Sequence, residues 1–131
     1  HQITLQTDQT DLKEKILSLY AEKGLQPPYV KDLPQLLEAD PAQTKNVLMH
    51  LVDEGRIIRV KEDLFFEADA IGRLKAQLID FLAKNGEINP GGFKEMTGAS
   101  RKYTIPLLEY FDTGNITIRV GDVRKLRKKA N

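Results

Sequence analysis

The fold of this chain is decided by residues 98–129, which read GASRKYTIPLLEYFDTGNITIRVGDVRKLRKK. The first half of this stretch has apolar residues at helical spacing and breaks at residues 112–114. Beyond the break, isoleucines alternate with polar residues over 116–119, Gly121 and Asp122 supply a turn, and a second short run follows. Helix, strand, tight turn and strand are the second half of a winged helix.

The chain contains an earlier copy of the same pattern. Residues 12–24 align without gaps with residues 74–86, and both segments carry apolar residues at helical spacing and end in a glycine. Self-similarity on this scale marks a duplicated unit. We therefore predict a mainly α (α+β) chain of two tandem winged-helix domains, residues 1–67 and 68–131, each with three helices and a small β-wing. The joint is short and rich in helix formers, so we expect a nearly fixed relation between the domains.

Local signals place the remaining elements. In the first unit, the prolines before Val30 permit only a short edge strand, and Asp40 and Pro41 are the predicted N-cap and first residue of the third helix. In the second unit, a strand stub is expected at residues 87–88 and a second helix at residues 93–96.

The ends of the two third helices are predicted to be equivalent, because residues 53–55 align with residues 112–114. Pro106 lies inside the second of these helices, where it removes a hydrogen bond. Either the helix is kinked at Pro106 or its regular part starts near it. In both cases, residues 100–103 are expected to stay exposed at its leading end.

Composition limits the classes of protein that this chain can belong to. Its 131 residues are 40% hydrophobic, which is enough to bury a core. No apolar run approaches the roughly 18 residues that span a bilayer, and no signal-peptide pattern is present, so we expect a soluble, cytoplasmic protein without a membrane partner. The absence of cysteine excludes a disulfide framework and a thiolate metal site. Because the chain starts at His1 and not at methionine, we expect a C-terminal piece of a longer protein.

The net charge of +1 conceals an asymmetry between the two halves. Residues 1–67 hold eight lysines and arginines against twelve acids, whereas residues 68–131 hold twelve against seven. Such a split indicates an interaction surface on one half. The third helix of the first unit begins with an acid, which repels a polyanion, so we expect the first domain to be a spacer or a docking surface and the second to bind nucleic acid.

The candidate contacts lie at the start of the second unit's third helix and on its wing, two regions expected to be free of apolar crowding. Arg101 and Lys102 stand at a helix N-terminus, where unpaired N–H groups favour phosphate. The Ser100 hydroxyl is either an N-cap or a phosphate ligand, and Tyr103 is either a base-stacking platform or a packing residue. The predicted binding set is Lys94, Ser100, Arg101, Lys102, Tyr103, Arg119, Arg124, Lys125, Arg127 and Lys128.

The sequence contains no catalytic or metal-binding pattern. It has neither a G-x-x-x-x-G-K-[ST] phosphate loop nor a G-x-G-x-x-G motif. His50 has no carboxylate or histidine partner at metal-ligand spacing, so we predict a surface or core-edge role for it. We expect a non-enzymatic chain without a cofactor or metal.

The run T-G-A-S-R-K-Y-T-I-P-L-L-E-Y-F-D at residues 97–112, with G-D-V-R at 121–124, resembles the C-terminal winged helix of the bacterial selenocysteine-specific elongation factor family, SelB. The likeness covers the second unit at the level of motifs and the whole chain at the level of architecture. It also accounts for Pro106 as a family feature.

This resemblance implies a role in translation. In that family the terminal winged helices bind an mRNA hairpin, the selenocysteine insertion element (SECIS), beside an in-frame UGA codon. A translational GTPase region, absent here, carries selenocysteinyl-tRNA. The resemblance therefore implies a monomeric RNA-binding module, with contacts at residues 100–103, Arg119, Arg124 and Arg127. GTP, Mg and the ribosome would belong to the parent protein.

Two other functions stay open from the residues alone. One is a duplex-DNA regulator that places its third helix in the major groove, although such regulators usually dimerise to read two half-sites. The other is a tandem winged-helix scaffold for protein interactions, for which the acidic first unit is suited.

Overall fold

The computed structural model describes residues 2–127, and it confirms the predicted tandem architecture. The contacts divide the chain into two units after Ala70, a little beyond the predicted boundary at residue 67. Each unit has its own two-stranded antiparallel hairpin. None of the helices in the described residues combines the length and apolar character that a membrane span needs. The elements in chain order are α1 (Gln2–Lys23), a 3₁₀ turn (Val30–Asp32), α2 (Leu33–Leu37), α3 (Pro41–Asp53), β1 (Ile57–Lys61), β2 (Leu64–Glu67), α4 (Ala68–Asn85), α5 (Pro90–Thr97), α6 (Arg101–Thr113), β3 (Thr117–Val120) and β4 (Val123–Leu126).

The aligned first helices of the two units bury the same positions. Leu12, Ile16 and Tyr20 form an i, i+4 stripe on α1 that packs into the core of the first unit. Their aligned partners on α4, which are also buried, are Leu74, Leu78 and Leu82.

Both of these helices end on a glycine in the left-handed region. Gly24 has φ +57° and donates to the Tyr20 carbonyl at 2.9 Å, and Gly86 has φ +87° and donates to the Leu82 carbonyl at 2.8 Å. This is the C′ geometry that the sequence repeat predicts.

The strand stub is present in one unit and absent from the other. The stub predicted at residues 87–88 of the second unit is a bridge at Ile88, which exchanges two backbone hydrogen bonds of 2.9 Å with Arg124. In the first unit, Val30 begins a 3₁₀ turn, and one backbone bond joins it to the wing, from its N–H to the Asp63 carbonyl at 3.0 Å. The predicted edge strand before Val30 is therefore wrong, because one hydrogen bond replaces the paired exchange that a bridge needs.

Of the two alternatives for Pro106, the structure excludes a late start of the regular helix. Helix α6 begins at Arg101 and contains Pro106, whose ring is buried. Pro106 cannot donate to the Lys102 carbonyl, and the buried ring packs in the core instead. The basic start therefore belongs to the helix and is not an irregular leader.

The two third helices end one residue out of step with the sequence alignment. After α3, Gly55 has φ +77° and donates to the Val52 carbonyl at 3.0 Å. After α6, the left-handed residue is Asn115, with φ +63°, which donates to the Asp112 carbonyl at 3.2 Å. Gly114 has φ −79° and lies before this position. Since asparagine tolerates the left-handed region, Asn115 and not Gly114 is the structural counterpart of Gly55.

Candidate nucleic-acid interface

The start of α6 is exposed and carries two cations. Ser100 has the extended backbone of an N-cap, but its side chain makes no capping hydrogen bond. Its carbonyl accepts from the N–H groups of Tyr103 and Thr104, both at 3.0 Å. Arg101 and Lys102 are exposed beside it. The positive helix end therefore meets solvent together with two cationic side chains, an arrangement that suits a phosphate.

The start of α3 in the first unit is built differently. The Asp40 carboxylate accepts from the Gln43 N–H at 3.0 Å, as predicted, and Pro41 occupies the first helical position. An acid therefore neutralises this helix end from within the chain. The charge contrast predicted between the two units is thus accompanied by a difference in capping.

Tyr103 is a packing residue and not an exposed platform. Only 7% of its surface is accessible, and the Lys102 Nζ atom lies 5.1 Å from the centre of its ring. The prediction that all of residues 100–103 are exposed is wrong at this position, because the third residue of α6 faces the core. Of the two roles considered for Tyr103, packing is the one that the structure supports.

Lys94 lies on the helix that leads into this surface. It is exposed in the last turn of α5, and its carbonyl accepts from the Gly98 N–H at 2.8 Å. Gly98 has φ +69°, the left-handed geometry that ends α5 shortly before α6 begins. Lys94, Ser100, Arg101 and Lys102 thus flank one short connection.

The register of the wing divides its basic residues between two faces. Arg119 opposes Arg124 and Ile118 opposes Lys125, and residues directly opposite each other share a face. Successive residues alternate between faces, so Lys125 lies on the opposite side of the hairpin from Arg124. The prediction of one continuous basic band is wrong on the wing. Lys128, its last predicted member, lies outside the described residues.

Arg124 faces inward, contrary to the prediction that it meets solvent. It is only 8% exposed, and its guanidinium grips the Asp112 carboxylate, with Nη2 at 3.0 Å from Oδ2 and Nε at 3.2 and 3.1 Å from the two oxygens. The Thr117 hydroxyl donates to Asp112 Oδ1 at 2.6 Å. We call Asp112, Thr117 and Arg124 the wing clasp. A sequence signal was available, because an acid in the last turn of a helix is disfavoured unless a cation pairs with it.

Three predicted wing contacts remain exposed, namely Arg119, Lys125 and Arg127. The Arg119 Nε donates to the Gly121 carbonyl at 3.0 Å, which holds the guanidinium over the wing turn. Apolar side chains accompany these cations, since Ile118 is 43% and Val120 is 48% exposed. Ile105 on α6 is exposed as well. The expectation of a surface free of apolar groups is therefore wrong.

Comparison with known proteins identifies the family. Residues 80–126 match the family model for the winged helix of elongation factor SelB. The chain is 34% identical, over 98% of its length, to the selenocysteine-specific elongation factor of Desulfomicrobium baculatum, and 28% identical, over 79%, to that of Escherichia coli (strain K12). The mRNA-binding domain of E. coli SelB, solved in complex with SECIS RNA, matches with a TM-score of 0.77 at 27% identity, over 92% of this chain and 97% of that one. This chain belongs to the SelB family.

The similarity places the chain in the C-terminal winged-helix region of SelB. The chain spans about a fifth of the length of the curated SelB relatives that it matches, 20% of the D. baculatum protein and 17% of the E. coli protein. A bacterial selenocysteine-specific elongation factor, EF-Sec, has the same fold over 93% of this chain and 19% of its own, with a TM-score of 0.67 at 23% identity. The resemblance inferred from residues 97–124 is confirmed.

The other charged cluster of this SelB region lies on the first unit. His50 Nε2 is 3.2 Å and Lys13 Nζ is 2.9 Å from the Glu54 carboxylate, and the hydrogen bond from Lys13 lowers the pKa of Glu54. His50 thus has a carboxylate partner one helical turn away, which the sequence reading missed. Among the side chains that the structure describes, residues 9–127, no group of three or more His, Cys, Asp or Glu could hold a metal ion.

Proposed function

We propose that this chain binds an mRNA stem-loop of the SECIS type and so directs the incorporation of selenocysteine at UGA codons. The observation that carries this proposal is the structural match to a SelB domain that was solved with SECIS RNA. The uncapped, dicationic start of α6 supports it from within the chain, because that start offers what a phosphate needs.

Phosphate contacts supply most of the affinity in this proposal, and unpaired loop bases supply the specificity. The exposed groups assigned to phosphates are Lys94, Ser100, Arg101, Lys102, Arg119, Lys125 and Arg127. Tyr103 and Arg124 are omitted because both are buried. If about five phosphates are neutralised, the slope of log K against log salt is about −3.5 to −4.5.

The first unit serves as a spacer or a protein-docking surface in this scheme. Its third helix begins at an exposed acid, Asp40, which disfavours contact with a polyanion. The full-length factor would be a cytoplasmic GTPase that uses Mg and works on the ribosome, whereas this region itself would act as a non-catalytic, monomeric module.

Titration against RNA hairpins with and without bulged loop bases, over a series of salt concentrations, tests the proposal. Binding that requires an unpaired base and weakens with salt as stated supports it. A salt slope near zero would contradict phosphate contact. Preference for duplex DNA in competition would favour the alternative of a DNA regulator, and no nucleic-acid binding at low salt would favour a protein scaffold.

A further inference from the structure

The side chains that connect the third helix to the wing are apolar in the first unit and polar or charged in the second. Ile57 and Thr117 are the first residues of their wings, and both are almost fully buried. Phe65 opposes Arg59 in the first wing, as Arg124 opposes Arg119 in the second.

The corrected ends of α3 and α6 extend this correspondence to the helices. Val52 and Asp112 are equivalent, since each accepts a bond from the left-handed residue that follows its helix. In the first unit all three positions are apolar and belong to or pack against the core cluster. In the second unit they are the three residues of the wing clasp, Asp112, Thr117 and Arg124.

The wing clasp joins three segments of the second unit through short polar contacts. Asp112 comes from the last turn of α6, Thr117 begins β3, and Arg124 lies in β4. Arg124 also exchanges two backbone bonds with Ile88, before α5. Arg124 therefore ties β4 to α6 and to Ile88, and Thr117 ties β3 to α6.

Stability alone does not explain a partly buried ion pair at this place. The side chains of Arg124 and Asp112 are 10% and 27% exposed, so both have lost most of their water. Replacing such a pair by well-packed apolar residues is often neutral or stabilising, and the first unit shows that an apolar solution exists in this fold. Paired hydrogen bonds between a guanidinium and a carboxylate, in contrast, restrict orientation as well as distance.

We propose that Asp112, Thr117 and Arg124 are positioning residues for RNA binding. The clasp holds the β3–β4 hairpin in one orientation against the end of α6, so that the basic residues of the wing and of the α6 start contact the same RNA. The clasp residues themselves do not touch RNA. This inference rests on the proposed function, and it assigns Arg124 a role other than direct contact.

The first test compares Thr117→Val with Thr117→Ser in the full chain. Thr117 is 0% exposed, so Thr117→Val removes no group that RNA could reach, while Thr117→Ser keeps the hydroxyl. Binding of a bacterial SECIS RNA hairpin is measured well below the melting temperature of each variant. We expect Thr117→Val to bind about tenfold more weakly, with a salt slope smaller in magnitude by about 0.7 to 0.9 for each phosphate that the wing no longer neutralises. We expect Thr117→Ser to keep the affinity and the salt slope of the wild type.

The second test uses the sign of a charge change. Asp112→Asn and the matched control Asp122→Asn, at the exposed wing turn, each remove one negative charge. Electrostatics alone predicts tighter RNA binding for both variants. If Arg124 contacted RNA directly, Asp112→Asn would free its guanidinium and bind RNA tighter still. Positioning predicts that Asp112→Asn binds more weakly while Asp122→Asn binds equally or more tightly.

Amide hydrogen exchange on the free protein separates this inference from the proposed function. We expect the β3 and β4 amides of Thr117→Val and Asp112→Asn to exchange faster than in the wild type, while the amides of α5 keep their protection. RNA affinity and salt slope like those of the wild type in both variants would overturn the inference, as would unchanged exchange in the wing. If the wild type binds no RNA hairpin, the proposed function fails. Amide exchange in the wing then decides by itself whether the clasp orients the β3–β4 hairpin.

Discussion

Replacing Arg101 and Lys102 together by alanine should weaken hairpin binding strongly and leave the fold intact. Both side chains are exposed at the start of α6. At 0.1 M salt, each phosphate contact contributes a factor of about 5 to 8 to the binding constant through counterion release, so removing two lowers affinity about 25- to 60-fold. The salt slope should fall in magnitude by about 1.4 to 1.8. Losing the contact of Lys102 with the Tyr103 ring costs about 0.5–1 kcal/mol of stability at an exposed site.

Fluorescence anisotropy of a labelled SECIS hairpin across a salt series measures both quantities, and thermal denaturation measures the fold. The matched control is Lys75→Ala with Lys84→Ala, which removes two exposed charges from α4 of the same unit. Among the described residues, Lys84 pairs with Asp80 one turn away at 3.1 Å, a contact of about 0.3–0.5 kcal/mol. Equal decreases in affinity in both double variants would show that net charge, and not the α6 start, drives binding. An unchanged slope in Arg101→Ala/Lys102→Ala would refute the phosphate contacts outright.

Three further predictions concern the first unit and the end of α6. Burial and the nearby Asp63 carboxylate raise the pKa of Tyr20 far above its usual 10.0, so the folded state keeps a proton that the unfolded chain releases, and stability should fall as the pH rises past about 10. The Tyr20 hydroxyl is buried and has no hydrogen-bond partner among the described residues, so Tyr20→Phe should raise the free energy of unfolding by about 1 kcal/mol. It should also remove the loss of stability at high pH. Urea denaturation at two pH values checks both points. Asn115→Ala should lower stability by about 1 kcal/mol while Asn115→Gly does not, since the site has φ +63°; equal unfolding curves would argue against that geometry. Lys45→Ala with Lys61→Ala, two exposed charges of the first unit, should change hairpin affinity less than about threefold in the same anisotropy assay, and a decrease as large as that of Arg101→Ala/Lys102→Ala would show that the first unit also binds RNA.

Local sequence determined most of the architecture and the part of the site at the start of α6. The glycine-terminated repeat at residues 12–24 and 74–86 predicted two units because its signals act within one helix, through apolar spacing and a left-handed C′ residue. The exposed Arg101 and Lys102 followed in the same way, because a helix start and its charges are adjacent in the chain.

Tertiary structure alone decided which wing residues face inward. The side-chain period of a strand is two, so a shift of one residue at the end of α6, from Gly114 to Asn115, turns Thr117 inward and Ile118 outward. Arg124 found Asp112 twelve residues away only when the hairpin folded back on the helix. The sequence pattern predicted that Arg124 is a surface cation. Its burial beside Asp112 depends on the register of the β3–β4 hairpin, which no local pattern specifies.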